Sequence, residues 1–479
     1  MRDGLLLGVD VGTTRIKALV LDAAGGERSG ASVATPFTAS PAGIDMAVAD
    51  LGRALDSVIS ALGPDRERVA AVGLAGMAES GAPFRAGRPV GPVIAWHDGR
   101  GEETVASLQR RFGPALARWT GRRVRTVSSV AKLGWLVDHG LPPPERWLGV
   151  PEIALFLLTG AEATEHSLAA RTGAYHVTER RFLPEVIGQV LAGAGPGAVP
   201  VPTAGGQGSG RLFPPVLPAG AVMGVVSDEA AAGYGLPAGI PVTIAGHDHL
   251  AAAAGLGARP DDLFNSVGTA ETLVRRLDAA PDVERALELD LAVTLWPGGD
   301  AWALLASTTR SGLVIGALAA HVGMPPAALD DLVAGGRADG PTGSPAPLLD
   351  LGQGIEVPVG PAAEMWTATL WALARRTAAA AGRVAAVAGP HGRLVVFGGG
   401  SRSPAWLRAK AAEVGVPVLC CPVAEAAARG AALAGGVAAG WWPSVAAGPT
   451  PLDGPGLSAA GPAPGIDAGG GPARTMGPS

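Results

Sequence analysis

The run Val9–Val20 (VDVGTTRIKALV) places an acid, a glycine, two hydroxyls and a cation in close succession. Gly12 lets the backbone approach a ligand closely, and Thr13 and Thr14 bring hydroxyl and N–H groups to the tip of a tight turn. Asp10 lies at the end of the preceding apolar run, and Lys17 follows the turn as a point charge. Together they suit the phosphates of a magnesium nucleotide. This is not a Walker loop, because the spacing G-x-x-x-x-G-K-[ST] is absent. By shape alone the run reads as strand, turn and strand, and an ordinary hairpin would look the same.

A second set lies in Pro241–Ala258 (PVTIAGHDHLAAAAGLGA). Asp248 stands between two histidines where an apolar strand gives way to a helix of small residues. A helix N-terminus stabilises a carboxylate, which can then accept a proton from a hydroxyl as a phosphoryl group moves. Taken alone, Asp248 could equally be a helix cap. His247 and His249 form an H-x-H pair, but no third zinc ligand stands at a familiar spacing.

The elements that must carry these residues alternate in type. Residues 5–21 read as a strand hairpin, Ala47–Leu62 as a helix by its apolar spacing, and Val69–Ala75 as a strand. Ile153–Leu158 continues a helix, and residues 192–222 are rich in Gly, Pro and Ala and read as loop. Strands follow at Ile240–Ala245 and Leu263–Val267, around a helix at Leu250–Leu256. Glu364–Val387 reads as a long helix, Leu394–Phe397 as a buried strand ahead of three glycines, and a helix resumes near Pro404. The alternation predicts an α/β protein. Val9–Val20 and Ser266–Val274 (SVGTAETLV) are weakly similar, each with a strand, a Gly-Thr turn and a second strand.

The D-x-G-T-T-x-x-K run resembles the first phosphate loop of the actin-like ATPase superfamily, in the form found in the FGGY family of carbohydrate kinases. The resemblance covers roughly residues 5–440, with its motifs in the expected order. It implies two actin-like, ribonuclease H-like domains with a cleft between them. Residues 1–245 would bind a sugar or polyol, and residues 246–443 would bind ATP. It further implies Mg²⁺ at Asp10, phosphates at Thr13, Thr14, Lys17, Gly268 and Thr269, and Asp248 as catalytic base beside the substrate. Phe397–Trp406 (FGGGSRSPAW) resembles the adenosine segment, which implicates Gly399, Gly400 and Ser401, with Gly312 approaching the adenine. Gly73–Ser80 (GLAGMAES) and Ile94–Arg100 (IAWHDGR) resemble the sugar segments and implicate Glu79 and Asp98. Carboxylates accept hydrogen bonds from vicinal hydroxyls, which suits polyol recognition. The Gln-Met-His triplet of xylulokinase-like members is missing, as is the Arg beside Glu in glycerol kinases, so the motifs leave the sugar open.

Bulk properties narrow the class. A chain of 479 residues exceeds one compact core. A net charge of −5 offers nothing to nucleic acid or an anionic membrane. The N-terminus lacks the features of a signal peptide, and the Ala-rich stretches are interrupted before membrane-spanning length. Adjacent Cys420 and Cys421 point to opposite faces of a strand, which disfavours a disulfide between them. These features predict a soluble cytoplasmic enzyme, and a homodimer is compatible with them. From Ser444 the chain is rich in Gly and Pro, and residues 444–479 read as a disordered tail. Two rivals remain. An actin-like ATPase without sugar kinase activity would hydrolyse ATP without sugar, and an idle sugar-binding regulator would be expected to lack Asp10 or Asp248.

Overall fold

The structure, a computed structural model, describes residues 4–142, 144–193, 212–334, 360–453 and 458–459. Two sheets organise it. The first contains β1 (Leu5–Val11), β2 (Arg15–Leu21), β3 (Glu27–Ala34), β4 (Val69–Gly76), β5 (Gly224–Val225) and β6 (Pro241–His247), in the spatial order β5-β6-β4-β1-β2-β3. The second contains β7 (Asp262–Val267), β8 (Glu271–Leu277), β9 (Ala292–Leu295), β10 (Trp302–Thr309), β11 (Arg393–Phe397), β12 (Val418–Cys420) and β13 (Ser458–Ala459), in the order β9-β10-β8-β7-β11-β12-β13.

The sheets are built alike. In each, a central strand (β1 or β7) pairs antiparallel with the next strand of its hairpin and parallel with a strand much later in the chain. The weak internal repeat is therefore repeated topology. Every residue of β1 is buried, as its run of Leu and Val requires of a strand covered on both faces. Glu27–Ala34 instead alternates between exposed and half-buried, as an edge strand does.

Helices cover the sheets. Helix α1 (Val48–Ser60) buries Val48, Leu51, Leu55, Val58 and Ile59, which fall on one helical face. Helix α2 (Val150–Thr159) packs nearby, against α1, β4 and β6. Helix α3 (Asp248–Leu256) is buried continuously from Leu250 to Leu256, because it lies against both the first half and a later helix. In the second half, α4 (Ser311–Val322), the long α5 (Ala362–Ala388) and α6 (Pro404–Val414) pack around the second sheet.

The last helix, α7 (Ala426–Ala438), departs from the expected division of the chain. It lies in the range assigned to the second domain, yet it packs on β1, β2, β4 and β6 and against α3. Glycines make the approach possible. A Cβ at Gly8 would run into the Ala428 carbonyl, one at Gly73 into the Ala431 carbonyl, and one at Gly430 into the Ala251 carbonyl. The first half is thus completed by a segment from far along the chain.

The expected disordered tail also needs correction. Residues 444–453 form short turns at Val445–Ala447 and Pro451–Asp453, and Leu452 is buried in one cluster with Phe264 and Phe397. Residues 458–459 add β13 to the sheet edge. A Gly/Pro-rich composition argues against a core of its own, but one leucine needs only a groove in a core already made. The expectation for residues 460–479 lies outside the described residues. No single helix among the described residues is long and apolar enough to cross a membrane.

Candidate active site

A cleft of about 650 Å³ lies between the two sheets and is bordered by residues of both. The hairpin β1–β2 enters it from one side. The register sets Asp10 opposite Lys17, so both project from one face. Asp10 is buried, and its Oδ1 has no hydrogen-bond partner among the described residues. Burial and then the charge of Asp248 push its carboxyl up to about 8, against the opposing charge of Lys17. Lys17 Nζ lies 2.6 Å from the carboxylate of Glu425, which also borders the cleft.

At the hairpin tip, Thr13 Oγ1 accepts a hydrogen bond of 2.8 Å from the indole N–H of Trp96. Thr14 Oγ1 lies 3.1 Å from Thr269 Oγ1. The Gly-Thr tips of the two sheets thus meet across the cleft. Gly268 and Thr269 both line it, as does Gly399 after β11.

Asp248 reaches the cleft because β6 is irregular. Its register slips between Ile244 and Gly246, where φ is +114°, and a Cβ at Gly246 would meet Ser167 Oγ. His247 takes the cap position of α3, and Asp248 is the first helical residue. Its Oδ1 accepts the His249 backbone N–H at 2.6 Å and lies 3.2 Å from His247 Nε2. Burial, helped by His249, Arg171 and Arg122, holds His247 well below the usual histidine range, so its ring is neutral and can donate from Nε2. His249 Nδ1 lies 3.0 Å from Ser266 Oγ, which ties the base region to β7.

Glu79 borders the same cleft, with φ of +71°, an uncommon backbone conformation for a residue with a side chain. Arg122 and Arg171 each approach its Oε1 at 2.6 Å. Burial works to raise this carboxyl, but the charges of Arg171 and Arg122 outweigh it and hold the group below the usual range. The arrangement joins two Gly-Thr turns, a carboxylate at a helix start and a charged polar cluster in one cleft.

The family model described as the FGGY family of carbohydrate kinases, N-terminal domain, matches residues 5–255, and that of the C-terminal domain matches residues 346–439. The chain belongs to the FGGY family of carbohydrate kinases. It is 27% identical over 298 residues to an L-fuculokinase of Salmonella typhi, covering 58% of this chain and 57% of that protein. It therefore spans little more than half the length of that relative. To a xylulose kinase of Streptomyces coelicolor it is 28% identical over 461 residues, 89% of this chain and 86% of the other. Its fold matches a structure described as a xyloylose kinase from Brucella ovis with a TM-score of 0.81, at 22% identity, covering 96% and 94% of the two chains. The architecture is the two-domain actin-like fold of FGGY kinases.

The remaining expected residues of this FGGY chain do not all reach the cleft. Asp98 does not border it. Its Oδ2 accepts the Ile44 N–H at 2.6 Å, and its Oδ1 accepts the backbone N–H and Nε of Arg100 at 2.8 Å each. Both oxygens are engaged here, and the carboxylate braces the W-H-D-G-R loop against a neighbouring strand. Gly312 and Gly400 also lie behind the cleft wall. A Cβ on Gly312 would strike the Gly268 carbonyl, and one on Gly400 would strike Val267 and the Trp406 ring. Ser401 Oγ closes its own turn on the Gly398 carbonyl at 2.7 Å. These three shape the turns whose neighbours face the cleft.

Four lining residues escaped sequence reasoning. Trp96 was inside a noted motif, but its bond to Thr13 joins residues 83 apart. Arg122 is one arginine among several in Arg118–Arg125, and Arg171 follows an unremarkable H-S-L-A-A run. Glu425 sits just ahead of α7 and meets Lys17 only because that helix returns to the first sheet.

Proposed function

We propose that this protein transfers the γ-phosphoryl group of ATP to a hydroxyl of a sugar or polyol, with Asp248 as general base. The observation that carries this reading is the position of Asp248. It opens a helix inside the cleft, with the two Gly-Thr tips bordering one part and the Glu79 pocket another. The acceptor oxygen bonds to the γ-phosphorus while the bond to the β–γ bridging oxygen breaks. That oxygen leaves with ADP, and the hydroxyl proton passes to Asp248. Neutral His247 and the His249 N–H orient the carboxylate.

Thr13, Thr14, Gly268 and Thr269 cradle the phosphates, and Lys17 adds a point charge once it releases Glu425. Gly399 borders the adenosine end, with Gly312, Gly400 and Ser401 holding that wall from behind. Asp10 fits a divalent cation. It is a hard oxygen donor, buried, and lacks a partner on Oδ1 among the described residues. Mg²⁺ held there would supply charge neutralisation for the phosphates. His247, Asp248 and His249 also offer donor atoms within 4.8 Å of one another, but that nitrogen-rich set suits zinc better than magnesium. Glu79 receives the substrate hydroxyls, and the protein acts in the cytoplasm.

The test is Asp248→Asn. Turnover, followed as sugar-dependent ADP release, falls by roughly 10²–10⁴-fold, while ATP affinity and melting temperature hold. Retention of more than about a tenth of kcat removes the base assignment. ADP release independent of any sugar favours the plain ATPase reading.

A further inference from the structure

Around Glu79 the cleft carries more guanidinium donors than one carboxylate can take up. Arg122 and Arg171 come from separate segments, and both converge on one oxygen of Glu79. Two guanidinium groups present ten N–H donors. Against them stand the Glu79 carboxylate and, acting on Arg171 from the start of α3, Asp248, in a cluster with side-chain exposures of 10%, 16% and 5% for Arg122, Arg171 and Glu79. Arg171 Nε is buried and has no partner among the described residues. Burial and the adjacent Arg122 draw the Arg171 guanidinium down to about 10, against the pull of Glu79. The basic wall continues to the rim. There Arg125 holds Asp290 of the opposite half at 2.9 Å, and Arg123 lies alongside.

We infer that the acceptor is a sugar acid, an open-chain polyhydroxy monocarboxylate whose carboxylate docks on Arg122 and Arg171. This rests on the kinase reading above and names its substrate class. A planar carboxylate matches the guanidinium fork and accepts two parallel hydrogen bonds, while a hydroxyl matches only one donor. In a site drained of water that difference grows. Glu79, held by its turn at φ +71°, keeps both guanidinium groups aimed at one point, and the donors it does not use, Arg171 Nε among them, are left for the substrate carboxylate. Asp248 fixes the orientation. Its charge repels the acid group, so the carboxylate lies away from the base and a hydroxyl remote from it receives the phosphoryl group. The bonds formed and broken are those already given: oxygen to γ-phosphorus forms, γ-phosphorus to bridging oxygen breaks, and the proton goes to Asp248.

The experiment compares matched pairs on the full chain: gluconate with glucitol, and xylonate with xylitol and xylulose. ADP release is measured, and the product is identified by mass. The expected result is a kcat/KM for the acid at least about tenfold above that for the neutral partner, the worth of one charge-assisted hydrogen bond. Arg171→Gln raises KM for the acid by about tenfold or more, with kcat and the KM for ATP little changed, and Arg171→Lys recovers part of it. Preference for a neutral ketose or polyol, or for a sugar phosphate, overturns the proposal and leaves the kinase reading intact. Equal loss on acid and polyol in the Arg171 variants overturns it too. If no acid, polyol, ketose or sugar phosphate is phosphorylated, the kinase reading fails, and the proposal with it. The wild-type comparison decides the matter even if the variants fold poorly.

Discussion

The two Gly-Thr hairpins share a topology but place their charges on opposite sides. Aligned on Gly12-Thr13 and Gly268-Thr269, Asp10 corresponds to Ser266, Lys17 to Leu273 and Arg15 to Glu271. The first hairpin turns its acid and its lysine into the cleft, where, among the described residues, Asp10 lacks a partner on one oxygen and Lys17 pairs with Glu425. The second turns its acid into the core. Glu271 is fully buried, and its carboxylate meets Lys410, Thr377 and Ser311, while Lys410 also meets Asn265. This network joins β7, β8, α4, α5 and α6 behind the second tip. One copy of the motif turns its charges to the cleft and the other is clamped in the core. A repeat in sequence therefore predicts shared shape and says little about shared duty.

Breaking the clamp tests the comparison most severely. Lys410→Met leaves Glu271 buried without its cation, which costs about 3–5 kcal/mol of stability, read from urea unfolding. A loss below about 1 kcal/mol would show that the second hairpin is not held this way.

A third buried carboxylate sharpens the contrast. Glu152 has the Thr164 hydroxyl in place of a cation, and burial pushes it up to about 7. Its folded value stands above the unfolded one, so the folded form holds the proton more tightly. The stability this gives is complete below the unfolded value of 4.5 and lost as pH rises through about 7. Glu152→Gln should therefore gain on the wild type by up to roughly 3 kcal/mol between about pH 5 and about pH 8. Unfolding curves of the two proteins at both pH values check this, and a constant difference would refute it.

On the chemical hairpin the effects move from stability to kinetics. Lys17→Ala raises KM for ATP by about tenfold and leaves the melting temperature alone, since the pair it loses is a third exposed. A rise confined to the sugar KM would contradict its place at the phosphates. Arg15→Ala, at the position matching Glu271, changes stability by less than about 0.5 kcal/mol, because Arg15 is exposed and meets only Ser32. A larger loss, measured by thermal melting, would show that the first hairpin is clamped as well.

Much of this was legible in the sequence because it depends on local pattern. The strands around Asp10 and Asp248 follow from short apolar runs ended by glycine, and the long α5 follows from its apolar spacing. Contacts between distant segments were not legible. Glu79 reads as a pocket acid from its motif, but nothing nearby announces Arg122, 43 positions on. For Asp98, a carboxylate facing a sugar and one bonded to an arginine two residues later look the same in a one-dimensional string. Gly312 and Gly400 were read as ligand contacts, though a glycine can equally admit a neighbouring backbone or side chain.

The return of α7 to the first sheet has a consequence for synthesis. On the ribosome, β1 to β6 emerge long before residues 426–438, yet those residues supply the layer that fits onto Gly8 and Gly73. The nascent first half is left with an open apolar flank until residues 426–438 follow, and its pairing waits on closure of a very long loop. Folding of the two halves is thereby coupled. A fragment ending at residue 245 lacks the helix that finishes it, and the arrival of residues 426–438 decides when the first sheet is covered.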